Sequence, residues 1–354
     1  VERVERPIKS LKTQVKEKVK ESSKLKRGEK GLHGNPELII STGSTLFDLA
    51  ISGGRVRGGG LLAGIMVEIY GAESIGKSVI LSEIAGAIQR QGGEVLFNDT
   101  ESRFDEQFAR IFGYHLDHEY YFNPDTVTEV FDRIEKWKVK NPKKVNGIIT
   151  DSLAALSTQM EMEGEDKMGM RRGKEFSQGL RKNARLLKRN NYLMVCSNQI
   201  RDTANTFGPK TDTPGGWAIR FYSSVRISLT KPPQNHEILK TKTIHGKEIT
   251  ECIGINIVAK VVKNSTWKPK HTAPITILYD YGIDDIRQNL QFIKNYTDNT
   301  VYTVKGKKLS NTLEKAILKV EDQNLELELR EEVIDLWEEL QEKFRIDRKE
   351  KKRW

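Results

Sequence analysis

Nowhere in the 354 residues does an uninterrupted apolar run approach the roughly 18 residues that a membrane-spanning helix needs. The first residues carry charges where a signal peptide would be apolar, so the expectation is a cytoplasmic protein. Only two cysteines occur, Cys196 and Cys252, both inside apolar strand-like runs. That scarcity argues against a disulfide framework or a cysteine-based metal centre, and both read as buried thiols. No internal repeat is evident, which leaves solenoids aside. At 37% hydrophobic and 31% charged residues, the composition suits a globular protein with long polar helices or tails.

An excess of one charge is also missing from most of the chain, although the formal net charge is +10. Residues 1–35 carry 11 Lys/Arg against 5 Asp/Glu, and residues 343–354 carry 7 against 2. The 307 positions between them hold 41 basic and 42 acidic residues, so the body is close to neutral. Inside it lies one local exception, residues 167–189, where Lys167, Arg171, Arg172, Lys174, Arg181, Lys182, Arg185, Lys188 and Arg189 face Glu175 alone. Arg181, Arg185 and Lys188 recur at i, i+4 and i+7, on one face of a helix.

What is present is led by Gly71-Ala72-Glu73-Ser74-Ile75-Gly76-Lys77-Ser78, which fits G-x-x-x-x-G-K-[ST]. It follows a strand-like run, Ile65–Tyr70, and precedes a helix-like one. In that context the glycines turn backbone N–H groups toward phosphate oxygens, Lys77 reaches the β- and γ-phosphates, and the Ser78 hydroxyl is placed to ligate Mg²⁺. A nucleoside triphosphate site is expected.

Strand-like and helix-like runs then alternate. Strands are expected at 94–98, 120–122, 145–150 and 192–197, and helices after Lys77, near 105–112, over 127–138 and through the basic segment to Arg189. Such alternation predicts a parallel sheet with helices on both faces. After Gly216 the runs 223–230, 252–262 and 273–279 read as an antiparallel extension. The expected organisation is a basic N-terminal helix and linker for docking over 1–36, an α/β ATPase core over 37–282, a small α-rich domain over 283–342 and a basic tail over 343–354.

With the phosphate loop after Tyr70, four features fall at strand ends. Asp151 closes the run Val145–Thr150, the position of an acid that holds Mg²⁺ through water. Glu101 follows the strand ending near Asn98, where a carboxylate can orient and deprotonate an attacking water. Asn198-Gln199 opens a loop, Arg201 to Gly216, rich in Gly, Thr, Pro and Asp, and Gln199 is suited to bonding a γ-phosphate.

These motifs, with Ile40–Asp48, Asp151–Leu156, Asn198–Arg201 and Val261–Asn264, closely resemble the bacterial RecA recombinases in unbroken order over roughly residues 37–310. The resemblance implies a RecA-like P-loop ATPase core, ATP and Mg²⁺, and a helical filament on single-stranded DNA that pairs with a homologous duplex, with nucleotide between adjacent protomers. It implies that Gly71, Glu73, Ser74, Ile75, Gly76, Lys77 and Ser78 hold phosphates, that Ser78 and Asp151 serve the metal, and that Glu101 is the catalytic base. Asp105 and Phe108 match adenine-contacting positions, Gln199 a γ-phosphate sensor, Lys263 a lysine reaching into the neighbour's site, and Tyr279 a residue bordering that nucleotide. Met168, Arg172, Lys174, Arg181, Arg201, Phe207, Gly215, Gly216 and Arg220 fall in or beside DNA-contacting positions, with the choice between Arg172 and Lys174 open because the first DNA loop is about three positions short.

Two departures stand out. A second lysine usual two positions after Lys263 is replaced by Ser265, leaving Lys268 and Lys270 as candidates to substitute, or slower hydrolysis. The family's acidic C-terminal tail is replaced by a basic one. A hexameric helicase or a repair accessory factor fits less well, for want of an N-terminal four-cysteine zinc motif and given the Asn198–Gly216 loop. A nucleotide-gated DNA-binding protein that hardly hydrolyses ATP remains the alternative from another class.

Overall fold

The computed structural model describes residues 33–162, 170–202 and 211–348. The N-terminal segment 1–32, Met168, Phe207 and the last six residues of the basic tail lie outside them, and with them the expected docking helix.

Among the described residues the chain runs β1 (Asn35–Ile40), α1 (Thr45–Ser52), β2 (Leu61–Ala63), β3 (Met66–Gly71), α2 (Lys77–Arg90), β4 (Val95–Asp99), α3 (Glu106–Ile111) and β5 (Tyr121–Phe122). It continues through α4 (Val127–Lys136), β6 (Asn146–Asp151), α5 (Gln159–Met162), α6 (Met170–Arg189), β7 (Tyr192–Gln199), β8 (Arg201–Asp202), β9 (Thr211–Asp212) and α7 (Gly216–Tyr222). Then follow β10 (Val225–Thr230), β11 (Glu237–Ile244), β12 (Lys247–Asn264), β13 (Thr272–Leu278), β14 (Gly282–Ile283), α8 (Asp285–Tyr296), β15 (Tyr302–Val304), β16 (Lys307–Ser310), α9 (Leu313–Asp322) and α10 (Glu326–Lys343).

The central sheet is ordered β14-β13-β12-β10-β3-β7-β6-β4-β5, with β11 also paired to β12. From β10 to β5 every pairing is parallel, and from β12 outward every pairing is antiparallel. Successive side chains point to opposite faces of a strand, and the two apolar clusters divide by that parity. Val67, Ile69, Val95, Phe97, Ile149, Leu193 and Val195 join the cluster shared with α1 and α2. Met66, Leu96, Ile148, Met194 and Cys196 join the one shared with α4, α6 and α7. Both faces are covered, which is why these strands read as near-continuous apolar runs.

The expected α/β core with an antiparallel extension is present, and three local expectations change. First, the chain after Gly216 continues as α7 before β10 begins at Val225, so the turn to β structure comes later than the run from Ser223 suggested. Second, β12 is 18 residues long and pairs with β11 as a ribbon exposed on both faces, where Leu239, Ile244 and Ile249 are solvent-accessible. Alternation gave no cue there, because neither face is buried. Third, Cys252 lies on that ribbon and is exposed, whereas Cys196 is fully buried as expected and its thiol is pushed up by burial.

The Ser44 hydroxyl caps α1 by accepting from Phe47 N at 3.4 Å, as the Ser/Thr cluster predicts. Toward the C-terminus, Leu290, Ile293, Val333, Ile334 and Trp337 of α8 and α10 share the cluster that contains Phe47 and Ile51 of α1. The Thr303–Lys308 turn forms the β15–β16 hairpin around Lys305 and Gly306, both at positive φ.

Candidate functional site: a phosphate loop and a basic cleft

Strand register decides which side chains meet. Gly71 pairs with Gln199, Thr150 with Cys196 and Asp99 with Asp151, so the carboxyl ends of β3, β7, β6 and β4 stop at one level. A ligand at that edge meets all four strands at once. A cleft of about 360 Å³ opens there, lined among others by Glu73, Ser74, Lys77, Ser78, Glu101 and Gln199.

The loop from Gly71 to Gly76 is shaped by two constraints. Gly76 has φ +85°, and a Cβ there would lie 2.4 Å from Ile277 Cδ1, so only glycine fits. Gly71 is excluded from bearing a side chain by Leu229 O, 2.8 Å from the Cβ position. Ile75 buries its side chain in the apolar core, leaving its backbone to the loop. Gly76 caps α2 with no side-chain hydrogen bond, so the first amides of a 14-residue helix remain open to an anion.

Lys77 Nζ donates to the carbonyls of Gly71 at 3.1 Å and Ala72 at 2.7 Å. Burial lowers its pKa, opposed by the charges of Asp151, Glu101 and Glu73, so the ammonium is under-hydrated and attractive to phosphate. Ser78 Oγ donates to Asp151 Oδ2 at 2.5 Å, and the Ser197 hydroxyl donates to Asp151 Oδ1. Burial raises the Asp151 carboxyl; the two hydroxyl bonds oppose that rise. Two hard oxygen donors side by side suit Mg²⁺, which takes few protein ligands and fills its octahedron with phosphate oxygens and water. Among the described residues no group of three or more His, Cys, Asp or Glu is placed to hold a metal ion.

Glu101 Oε1 accepts from Ser152 Oγ and from Gln199 Nε2, each at 3.1 Å. The predicted base and the predicted phosphate sensor are therefore already bonded. Asp105 lines the cleft and caps α3 by accepting from Phe108 N at 2.8 Å. Phe108, 41% exposed, lines the cleft with its ring in a T-shaped pair with that of Phe112.

Lys263 and Tyr279 do not line this cleft. Lys263 Nζ donates to the carbonyls of Arg220 and Phe221 at 2.7 and 2.9 Å, capping the C-terminal end of α7. Its pKa is lowered, first by burial and then by the Arg226 charge. Tyr279 follows β13, 42% exposed, with its hydroxyl 3.8 Å from Cys252 Sγ.

A second and wider cleft, about 1120 Å³, opens between α6 and α7. Five of the expected DNA-contacting residues line it, namely Arg172, Arg201, Gly215, Gly216 and Arg220. Lys174 and Arg181 are exposed on α6 but outside its lining. Arg172 is tied to Glu161 at 3.4 Å and to Ala154 O, so Arg172 rather than Lys174 belongs to the cleft wall. Gly215 and Gly216 both have positive φ, and a Cβ on Gly215 would strike Ile219 at 2.1 Å.

Sequence reasoning missed Trp217 and Phe221, which are 83% and 75% exposed on the same wall. The signal was their i, i+4 spacing directly after the glycine pair, which marks one stripe of a short helix. Arg220 lies over the Trp217 ring, 5.5 Å from its centroid.

Comparison with known proteins finds similarity to one family. Residues 7–284 match the family model described as the RecA N-terminal domain. Curated proteins named Protein RecA align from Delftia acidovorans at 35% identity, over 69% of this chain and 63% of the relative, and from Treponema denticola at 32%, over 78% and 63%. A third, from Thermus thermophilus, is 33% identical over 70% of this chain and 69% of its own. The alignments thus span less than two thirds of the length of the first two relatives.

Proposed function

The chain belongs to the RecA family, and on that premise we propose that it is a DNA-dependent ATPase that forms a helical filament on single-stranded DNA and catalyses homologous pairing and strand exchange. The observation that carries this reading is the Gln199–Glu101 bond, which brings together at one strand edge the amide we assign as phosphate sensor and the carboxylate we assign as base, with the basic cleft on the loop that Gln199 opens.

In the proposed hydrolysis, backbone amides of the phosphate loop and Lys77 hold the β- and γ-phosphates and offset their charge. Ser78 and Asp151 would hold Mg²⁺, which supplies neutralisation of the phosphate oxygens when bound. Glu101 orients a water, takes its proton as the oxygen attacks the γ-phosphorus, and the bond to the β-phosphate oxygen breaks. Gln199 Nε2 then has two competing acceptors, Glu101 and a γ-phosphate oxygen. Phe108 stacks on the adenine and Asp105 contacts its edge, while Lys263, which lines the wide cleft, and Tyr279, neither of them in the lining of this chain's own nucleotide cleft, border the nucleotide of an adjacent protomer. Arg172, Arg201 and Arg220 neutralise DNA phosphates and the Gly215–Gly216 amides approach the backbone, with Lys174 and Arg181 continuing the basic track. Met168 and Phe207 belong to the same proposal by resemblance alone. Segment 1–36 in docking protomers, 283–342 as a small α-rich domain and 343–354 in capturing duplex belong to the proposal as well, the last on its basic charge, in which it departs from the family.

Ser265 supports a second reading, a filament that turns ATP over slowly, because an exposed serine stands where a cation would otherwise assist. Strand exchange between a circular single strand and a homologous linear duplex tests the main reading. Joint molecules that need ATP and homology are expected; their absence with every cofactor present would overturn it.

A further inference from the structure

Glu68 is fully buried in the middle of β3, where its neighbours in the sheet are Arg226 of β10 and Cys196 of β7. A carboxylate inside an otherwise Val/Ile/Leu sheet is expensive to desolvate and contributes little to stability that an apolar pair would not. Nor does it touch the nucleotide cleft, whose lining it does not join.

Its partners form one continuous chain of bonds. Arg226 Nε donates to Glu68 Oε2, its guanidinium lies 4.8 Å from the Tyr70 ring centroid, and its Nη2 reaches Thr213 Oγ1 at 3.3 Å. Asn198 Nδ2 donates to Glu68 Oε1 at 2.9 Å and to the Pro214 carbonyl at 3.0 Å. Asn198 Oδ1 accepts from Gln199 N at 3.0 Å, and Gln199 Nε2 reaches Glu101. One buried carboxylate therefore holds the residue before Gln199 on one side. Through Arg226 and Asn198 it also holds the two residues before Gly215 and Gly216 on the other.

We propose that Glu68, Arg226 and Asn198 are positioning residues that couple the two clefts. The inference rests on the proposed function and adds how its two ligands sense one another. When Gln199 exchanges Glu101 for a γ-phosphate oxygen, its backbone shifts against Asn198. Asn198 and Arg226 share Glu68, so the shift moves Pro214 and Thr213 with it and resets the approach of the Gly215–Gly216 amides and α7 to a nucleic-acid backbone. A contiguous network that both ligands bias is the physical form such coupling takes, and the effect must be reciprocal.

The experiment measures the affinity of the full chain for a fluorescent oligothymidylate, with and without a non-hydrolysable ATP analogue, and the affinity for a fluorescent nucleotide without DNA. In the parent chain the analogue tightens oligonucleotide binding. Glu68→Gln keeps the shape and removes the charge; it is expected to cut that tightening at least tenfold while each ligand's separate affinity changes less than threefold. A coupling ratio within twofold of the parent overturns the proposal, as does a parallel loss of both separate affinities, which a merely structural role would give. Should Glu68→Gln fail to fold, Asn198→Ser severs the link to Pro214 with the Glu68–Arg226 pair intact and is read the same way. A parent chain whose oligonucleotide affinity ignores nucleotide would instead overturn the proposed function, and this inference with it.

Discussion

The nucleotide cleft encloses about 360 Å³ and its polar groups are already bonded to one another, whereas the basic cleft encloses about 1120 Å³ and leaves Trp217 and Phe221 out in solvent. Both are built from the same sheet, one at the carboxyl edge of β3, β4, β6 and β7, the other on the helices that follow β6 and β7. On the proposed function, the contrast reflects what each would hold. A phosphate undergoing transfer needs donors fixed to a fraction of an ångström before it arrives, so Lys77, Ser78, Asp151, Glu101 and Gln199 are held by neighbours in the same cleft. A polymer backbone recognised without regard to sequence needs charge, open amides and π-faces along a track, and tolerance of its position.

The difference can be broken from the small cleft first. Lys77→Ala removes the cation that the loop carbonyls present and should lower ATP turnover by at least about 100-fold, measured as phosphate release with saturating single-stranded DNA. Oligonucleotide affinity without nucleotide should stay within a few-fold, because Lys77 does not line the basic cleft. Lys263→Ala should abolish the DNA-stimulated part of turnover and Ser265→Lys should raise it; unchanged rates in both would remove Lys263 from the reaction.

The wide cleft gives a smaller effect. Trp217→Ala should weaken oligothymidylate binding about tenfold, in line with roughly 1–3 kcal/mol for one base–aromatic stack, and Trp217→Phe should restore most of it. Nucleotide affinity should not move. Equal binding by both variants would leave the exposed ring without a role in the track.

The last prediction concerns neither cleft and serves as their control. Glu83, mostly buried on α2 and accepting from Ile283 N, has its pKa pushed up to about 7, chiefly by burial. The folded state therefore binds a proton that the unfolded state has released between about 4.5 and 7, and stability falls as pH rises through that window. Glu83→Gln should flatten this slope, narrowing the difference in denaturant-derived stability between pH 5 and pH 8 by on the order of 2 kcal/mol. A slope identical to the parent's would place the titration elsewhere.

How much of this was legible in the sequence follows the same division. The phosphate loop, Asp151, Glu101 and Gln199 stood out because short local patterns place them at strand ends, and parallel register then aligns them without further information. The wall of the wide cleft was legible in its charges and glycines but hardly in Trp217, since α7 has only seven residues and the single i, i+4 pair with Phe221 is a faint signal. The β11–β12 ribbon was illegible because, with both faces exposed, nothing forces apolar and polar residues to alternate. Glu68 and Arg226 were visible only as charges in apolar strands; that they bond across two strands depends on register, which no local window contains.

The central claim is that nucleic acid in the wide cleft changes chemistry in the small one. Its most direct test is the steady-state rate of ATP hydrolysis as oligothymidylate is titrated in at fixed, saturating ATP and Mg²⁺. The account predicts a low basal rate that rises severalfold or more and saturates with DNA, with Glu68→Gln keeping the basal rate and losing the rise. A rate indifferent to DNA in the parent chain would contradict it.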